Sequence, residues 1–258
     1  MSRGLLYDST LCIGCLECES GCAAANGLPY DETIAAEKKA SEHKFTYVKS
    51  VQAADGEEKY MRYLCMHCSD PACASVCPVA ALEKTEAGPV VYDEDKCMGC
   101  RYCMVACPFG VPKYEWASLT PAVKKCTGCS ERVSQGKPTA CIEACPTGAT
   151  ISGERTALIA EAKKRIAENP SGYNPHIFGV EEVGGTSTFF LTSSAVSFEQ
   201  FGLKGSYPGE PMPMLTFKAL SKIPSIVTTG VVLLGGIYWI SNRREEVARA
   251  ERKRDGEK

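Results

Sequence analysis

Cys97-Met-Gly-Cys100-Arg-Tyr-Cys103-Met-Val-Ala-Cys107-Pro108 is the stretch whose reading decides the fold. Three cysteines recur at every third position, a fourth follows after three intervening residues, and proline stands directly behind it. A loop winding round a cubic iron–sulfur cluster presents three thiolates at such spacings, and the remaining iron corner then faces away from the loop. Its ligand must come from elsewhere, which is why such runs occur in pairs that exchange their last cysteine. The proline is expected in the first turn of a helix, where a missing N–H does no harm.

Working outward, Cys12, Cys15, Cys18 and Cys22 repeat the same spacing upstream and form group one. Cys65, Cys68, Cys73 and Cys77 form group two, the quoted run is group three, and Cys126, Cys129, Cys141 and Cys145 form group four. Pro78 and Pro146 again follow the last cysteine, whereas Cys22 is followed by Ala23. The four groups absorb all 16 cysteines of the 258-residue chain, so no free nucleophile is left over. Two other uses of cysteine are weighed and set aside. A disulfide framework needs an oxidising compartment and a secretory leader, and Met1 to Leu11 offers neither an apolar run nor a cleavage site. Structural zinc uses paired Cys-x-x-Cys, often with histidine, and does not call for a third cysteine three residues on and a fourth four beyond. Only His43, His67 and His176 are present, and His67, inside group two, is expected to be a neighbour of the cluster rather than a ligand.

The net charge of −2 gives no signal for nucleic acid. Phosphate loops, dinucleotide fingerprints, nucleophile–base pairs and radical-type Cys-x3-Cys-x2-Cys are missing, so the chain reads as non-catalytic. Groups two and three adjoin in sequence and should form one ferredoxin-like unit. Groups one and four should form another, with the first inserted between its halves.

The segments Cys65-Met-His-Cys68-Ser-Asp-Pro, Cys107-Pro-Phe-Gly, Lys125-Cys126-Thr-Gly-Cys129 and Cys145-Pro-Thr-Gly-Ala, with the quoted run, resemble the four-cluster subunits of membrane-bound molybdenum or tungsten oxidoreductases and some hydrogenases. The resemblance implies an α+β fold of two ferredoxin-like 2x[4Fe-4S] units, one inserted in the other, plus a single C-terminal transmembrane helix. It implies four [4Fe–4S] clusters with crossed ligands. Cluster 1 would use Cys12, Cys15, Cys18 and Cys145; cluster 2, Cys22, Cys126, Cys129 and Cys141; cluster 3, Cys65, Cys68, Cys73 and Cys107; cluster 4, Cys77, Cys97, Cys100 and Cys103. Some relatives lose a group-three cysteine and hold a [3Fe–4S] cluster there, but Cys100 is kept here, so four cubanes are expected. Residues 169–222, with Val183-Gly-Gly-Thr186, most resemble the iron–sulfur (beta) subunit of respiratory formate dehydrogenase. The implied role is electron transfer between a catalytic molybdenum/tungsten (or hydrogenase) subunit, on the side of groups one and four, and a membrane haem (cytochrome) b or quinone-reactive subunit, on the side of groups two and three. Lys96, Arg101, Lys124 and Lys125 stand beside ligands and are candidates for raising cluster potentials, although such residues are more often solvated.

The expected layout is a four-cluster domain over 1–168, with its outer unit at 1–25 and 115–153 and its inner unit at 58–112. A docking arm at 169–222, a transmembrane helix at 223–242 and a basic cytoplasmic tail at 243–258 follow. Phe45 to Val51 and Lys59 to Leu64 are expected to pair across Ala54-Asp55-Gly56. Val90 to Tyr92 and Thr150-Ile151 read as strands. Glu154 to Glu168 reads as an amphipathic helix with Leu158, Ala162 and Ile166 on one stripe, ended by Asn169-Pro170.

Ile223 to Asn242 is an uncharged run of 20 residues, and about 20 suffice to span a bilayer as a helix. Tyr238 and Trp239 suit an interfacial belt, and Gly230, Gly235 and Gly236 suit close packing against another membrane helix. Basic residues gather after the span, from Arg243 and Arg244 to Lys258, which places the tail in the cytoplasm and the cluster domain outside, in a periplasm if the cell has one. A signal-bearing partner is then expected to carry the folded domain across.

Overall fold

The computed structural model describes residues 2–54 and 56–256, so Asp55 of the expected hairpin turn and the last two tail residues lie outside the described residues. The chain divides into a unit of Met1–Pro213 and a second of Met214–Lys258. In chain order the first carries β1 (Arg3–Asp8), α1 (Glu17–Ala25), α2 (Glu32–Ala36), β2 (Tyr47–Gln52), β3 (Glu58–Tyr63), α3 (Ala72–Ser75), β4 (Leu82–Lys84), β5 (Val90–Tyr92) and α4 (Tyr102–Ala106). It continues through β6 (Lys113–Tyr114), β7 (Val123–Lys124), α5 (Ser130–Ser134), α6 (Ala140–Glu143), β8 (Thr150–Glu154), α7 (Arg155–Glu168) and β9 (Thr188–Leu191). This is a mixed α+β chain of short elements, as cysteine-rich loops require.

The only three-stranded sheet among the described residues has the order β8-β1-β9, with β1 antiparallel to β8 and parallel to β9. Its side chains alternate between two faces. On one, Leu6, Phe189 and Leu191 meet Leu158 and Ala162 of α7, with Ile166 packed at the margin. On the other, Leu5, Tyr7 and Phe190 join Met61, Met66, Phe178 and Phe201. Burial on both faces explains why Leu5-Leu6-Tyr7 and Phe189-Phe190-Leu191 are apolar without alternation. Each such buried large side chain contributes on the order of 2 kcal/mol. Neither β1 nor β9 was expected as a strand from the sequence. The segment after Pro170, read there as a docking arm, thus supplies a strand of the core sheet.

Other expectations hold with shifted ends. β2 pairs antiparallel with β3 in the register Tyr47↔Tyr63 to Gln52↔Glu58. β5 pairs with β4, β8 closes on β1, and α7 begins one residue later than expected, at Arg155. The prolines behind the cysteines do not open helices. Pro78, Pro108 and Pro146 follow the short helices α3, α4 and α6, each at the second position of a turn. Those turns are closed by Ala80 N–H to Cys77 O (3.3 Å), Gly110 N–H to Cys107 O (3.1 Å) and Gly148 N–H to Cys145 O (3.4 Å). The ring fixes the φ that this turn position requires.

In the C-terminal part, α8 (Met212–Leu220) precedes α9 (Ile223–Gly256), and the helical run of 212–255 is long and apolar enough to cross a membrane. Ile226, Val231, Leu234, Ile237 and Trp239 are exposed, and Gly230, Gly235 and Gly236 have open space where a Cβ would stand. α9 does not stop at Asn242. It runs on through the charged tail, where Arg243–Glu246 and Glu245–Arg249 form pairs along the helix surface.

Candidate metal centre

All four cysteine loops share one backbone device. The residue directly before the second cysteine has a left-handed φ: Gly14 (70°), His67 (48°), Gly99 (72°) and Gly128 (66°). Such a residue curls the chain so that successive N–H groups and sulfurs point to one side, forming a concave anion site. Glycine is required twice over in groups one and three. A Cβ on Gly14 would lie 2.4 Å from the Tyr60 ring, and one on Gly99 would lie 2.8 Å from the Tyr114 hydroxyl.

The last cysteine of each group is presented differently. Cys77, Cys107 and Cys145 sit at the entrance to the proline turns, so that their sulfurs meet the N–H groups that follow. Ala81 N–H donates to Cys77 Sγ at 3.2 Å, and the backbone of 109–111 donates to Cys107. Burial alone would raise the Cys145 thiol. The Thr147 hydroxyl and the N–H groups of Thr150, Thr147 and Ala149 outweigh it and leave the thiol below its usual value. Cys22, lacking a proline, stays inside α1 and accepts from the Asn26 amide at 3.6 Å.

The helices bring cysteines of different groups together. α1 packs on α6, and α3 on α4. Gly21 permits the first contact, since a Cβ there would come within 2.8 Å of the Ala144 methyl. Cys22 of group one lies in the field of Cys126, Cys141 and Cys129 of group four. These four line one cavity. Cys68 faces Cys65, Cys107 and Cys73. Cys103 faces Cys100, Cys97 and Cys77. Cys12 and Cys18 interact with one another. The neighbours of Cys145 are the donors of its own turn, and Cys15 is exposed.

Burial, reinforced by neighbouring sulfurs, pushes the thiols of Cys18, Cys73 and Cys126 up to about 12 and that of Cys103 to about 11. Buried thiolates crowded in fours repel one another, and a bound cation inverts that balance. Among the described residues no three Cys, His, Asp or Glu side chains converge tightly enough for a single metal ion. The fit to a cluster rests on the four-sulfur surroundings, the shared cavity and the N–H groups aimed at sulfur. When bound, such clusters supply one-electron transfer.

Three buried polar side chains join this setting. His67 Nδ1 accepts from Val90 N–H at 2.9 Å, so the proton belongs on Nε2, 3.6 Å from Cys126 Sγ. Burial, then Lys125 and Lys84, hold its pKa well below the usual value, so the ring is neutral and is a neighbour of sulfur. Lys125 is buried, donates to the carbonyls of Val90 and Cys126, and its charge reaches Cys73. The other basic candidates face outward: Lys96 pairs with Asp93, Lys124 with Glu94 and Glu115, and Arg101 covers Tyr114 and Trp116. Arg62 is fully buried beside Cys141 and Cys18. Sequence reading missed it, and the signal was there: a charged residue three positions before Cys65, in a strand segment with apolar neighbours.

A second missed feature holds group one. Glu19, between Cys18 and Cys22, is buried against Lys44 at 2.7 Å. It also accepts from Val48 N–H at 2.6 Å and from the Tyr30 hydroxyl at 3.0 Å. The segment 183–188 clasps group two. Val183, Gly184 and Gly185 all have left-handed φ. The turn lets Ser69 N–H reach Gly185 O (2.9 Å), Ser187 N–H reach Met66 O (3.1 Å) and the Thr188 hydroxyl reach Cys65 O (3.0 Å).

Residues 57–155 match the 4Fe-4S dicluster domain. A Nitratidesulfovibrio vulgaris (strain Hildenborough) protein is 39% identical over 97% of this chain and 70% of its own length. The hydrogenase-2 operon protein HybA of Escherichia coli O157:H7 is 39% identical over 78% of this chain and 73% of its own. The formate dehydrogenase iron-sulfur subunit of Haemophilus influenzae is 31% identical over 90% and 78%. With sixteen cysteines set in four left-handed loops and this likeness along most of its length, the chain belongs to the family of iron–sulfur subunits built on the 4Fe-4S dicluster domain.

Proposed function

We propose that this chain is a non-catalytic electron relay holding four [4Fe–4S] clusters. Their ligand sets are Cys12, Cys15, Cys18 and Cys145; Cys22, Cys126, Cys129 and Cys141; Cys65, Cys68, Cys73 and Cys107; and Cys77, Cys97, Cys100 and Cys103. The observation that carries this is the cavity that Cys22 of group one shares with Cys126, Cys129 and Cys141 of group four, with Cys107 acting electrostatically on Cys68 of group two and Cys77 on Cys103 of group three in support. The packing of α1 on α6 and of α3 on α4 supports two ferredoxin-like units, one inserted in the other. Anaerobically prepared chain should contain about sixteen iron atoms, four clusters of four. Far less iron, or zinc in its place, would overturn the reading.

The relay joins a catalytic molybdenum or tungsten subunit to a membrane cytochrome b or quinone-reactive subunit. α9 crosses the membrane once, with its basic end in the cytoplasm and the cluster domain outside. Protection of the cluster domain from protease added to intact spheroplasts would count against that orientation. The catalytic partner proposed is a formate dehydrogenase, because likeness to such an iron–sulfur subunit extends over 90% of the chain. A hydrogenase partner is the second reading, favoured by the higher identity, 39%, to a hydrogenase-2 operon protein. Isolation in mild detergent and identification of the co-purifying subunit decides between them. The chain alone should not turn over formate with a dye.

A further inference from the structure

Arg62, on β3, is 1% exposed. Its Nη1 donates to the Thr150 hydroxyl at 3.1 Å, and its guanidinium carbon lies 5.8 Å from the centre of the Tyr7 ring. Nε and Nη2 are buried with no hydrogen-bond partner in the protein. A guanidinium stays charged in any protein setting and presents its donors in a rigid fork. Orphaned donors on a buried cation are costly unless something outside the polypeptide accepts from them.

The surroundings say what that acceptor is. The sulfurs whose charge acts on Arg62 are Cys141, Cys18 and Cys126. Cys22 and Cys129 also feel its charge. Thr150, which holds Nη1, also donates its N–H to Cys145, and the Tyr7 hydroxyl reaches Cys12. Arg62 therefore stands among sulfurs of groups one and four, although the strand carrying it leads into Cys65 of group two.

We propose that Arg62 is a tuning residue, whose Nε and Nη2 donate to sulfur of the clusters held by groups one and four and whose charge raises their midpoint potentials. Reduction adds negative charge to a cluster, and a fixed cation in a low-dielectric site stabilises the reduced form. The inference rests on the four-cluster reading, so the test separates the two.

The whole membrane complex is prepared as wild type, R62Q and R62K, with iron measured first and each cluster's midpoint then read by redox titration under EPR. R62Q should lower the midpoints of clusters 1 and 2 so that the reduced-to-oxidised ratio at fixed potential drops at least tenfold, about 59 mV for one electron. R62K, which keeps the charge, should shift them less, and clusters 3 and 4 should stay in place. Wild type labelled with 15N-arginine should show a nitrogen coupling to a reduced cluster in pulsed EPR, and R62K should lose it. Low iron in wild type would sink the cluster reading and this inference with it. Full iron with unmoved midpoints would sink the inference alone. Absence of the nitrogen coupling in wild type would do the same, even if R62Q does not assemble.

Discussion

Replacing Glu19 by glutamine tests whether the loop of group one is held by a buried ion pair. Glu19 and Lys44 have side-chain exposures of 0% and 2% and stand 2.7 Å apart. Removing one partner of such a pair costs about 3–5 kcal/mol, because the other charge is left buried. Lys44 keeps the carbonyls of Ile34, Ala35 and Glu37, at 2.7, 3.2 and 2.8 Å, so the low end, about 3 kcal/mol, applies. In a unit of this size 1 kcal/mol corresponds to roughly 2–4 °C, so E19Q should unfold about 6–12 °C below wild type. The assay is loss of cluster absorbance on anaerobic heating at one fixed scan rate, since unfolding with cluster loss is irreversible. The double variant E19L/K44M leaves no buried charge at this pair but orphans Val48 N–H and the carbonyls of Ile34, Ala35 and Glu37, so its loss should be smaller than the sum of the E19L and K44M losses without being abolished. An E19Q within about 2 °C of wild type would refute the reasoning. So would a double variant whose loss equals the sum of the single ones.

Four further outcomes are expected. C107S should disturb the cluster gripped by group two and leave that of group three in place, seen as the loss of one EPR component and up to about four irons. Iron affinity should fall steeply as pH is lowered. Each buried thiol, raised toward 12 at Cys18, Cys73 and Cys126, must release its proton to bind, so protons compete with iron, as chelator competition at several pH values will show. G179A should lower the unfolding temperature measurably. Its Cβ would stand 2.2 Å from Thr188 O at a φ of 104°, where strain alone costs about 1–3 kcal/mol. Produced without its partner subunits, a chain ended after Pro213 lacks the apolar helix and should pass from the membrane fraction to the soluble one.

The four cysteine groups were legible because their spacing is regular and local, and the β2–β3 ribbon and α7 because their periodicity is local. β1 and β9 were not. Leu5-Leu6-Tyr7 and Phe189-Phe190-Leu191 become strands only because each finds the other, more than 180 residues away, and both faces are then covered. The proline turns were misread because proline suits both a first helical turn and the second position of a β-turn. The N–H groups at Ala80, Gly110 and Gly148 decide for the turn.

His67 carries the remaining step. Groups one, three and four place glycine before the second cysteine, as a left-handed backbone prefers. Group two places histidine there and accepts a φ of 48°, a conformation that disfavours a side chain with a Cβ. Strain of this kind persists where the surroundings over-determine it. Here the ring is fixed by Val90 N–H on one nitrogen and directed at Cys126 by the other. The loop of group two thereby donates to a sulfur of group four, as Arg62 brings a charge to the same groups from the strand before it. Two polar contacts thus run from the segment around group two to the sulfurs of groups one and four. Neither can be read from cysteine spacing, because spacing records which atoms hold a cluster and not which atoms set its charge.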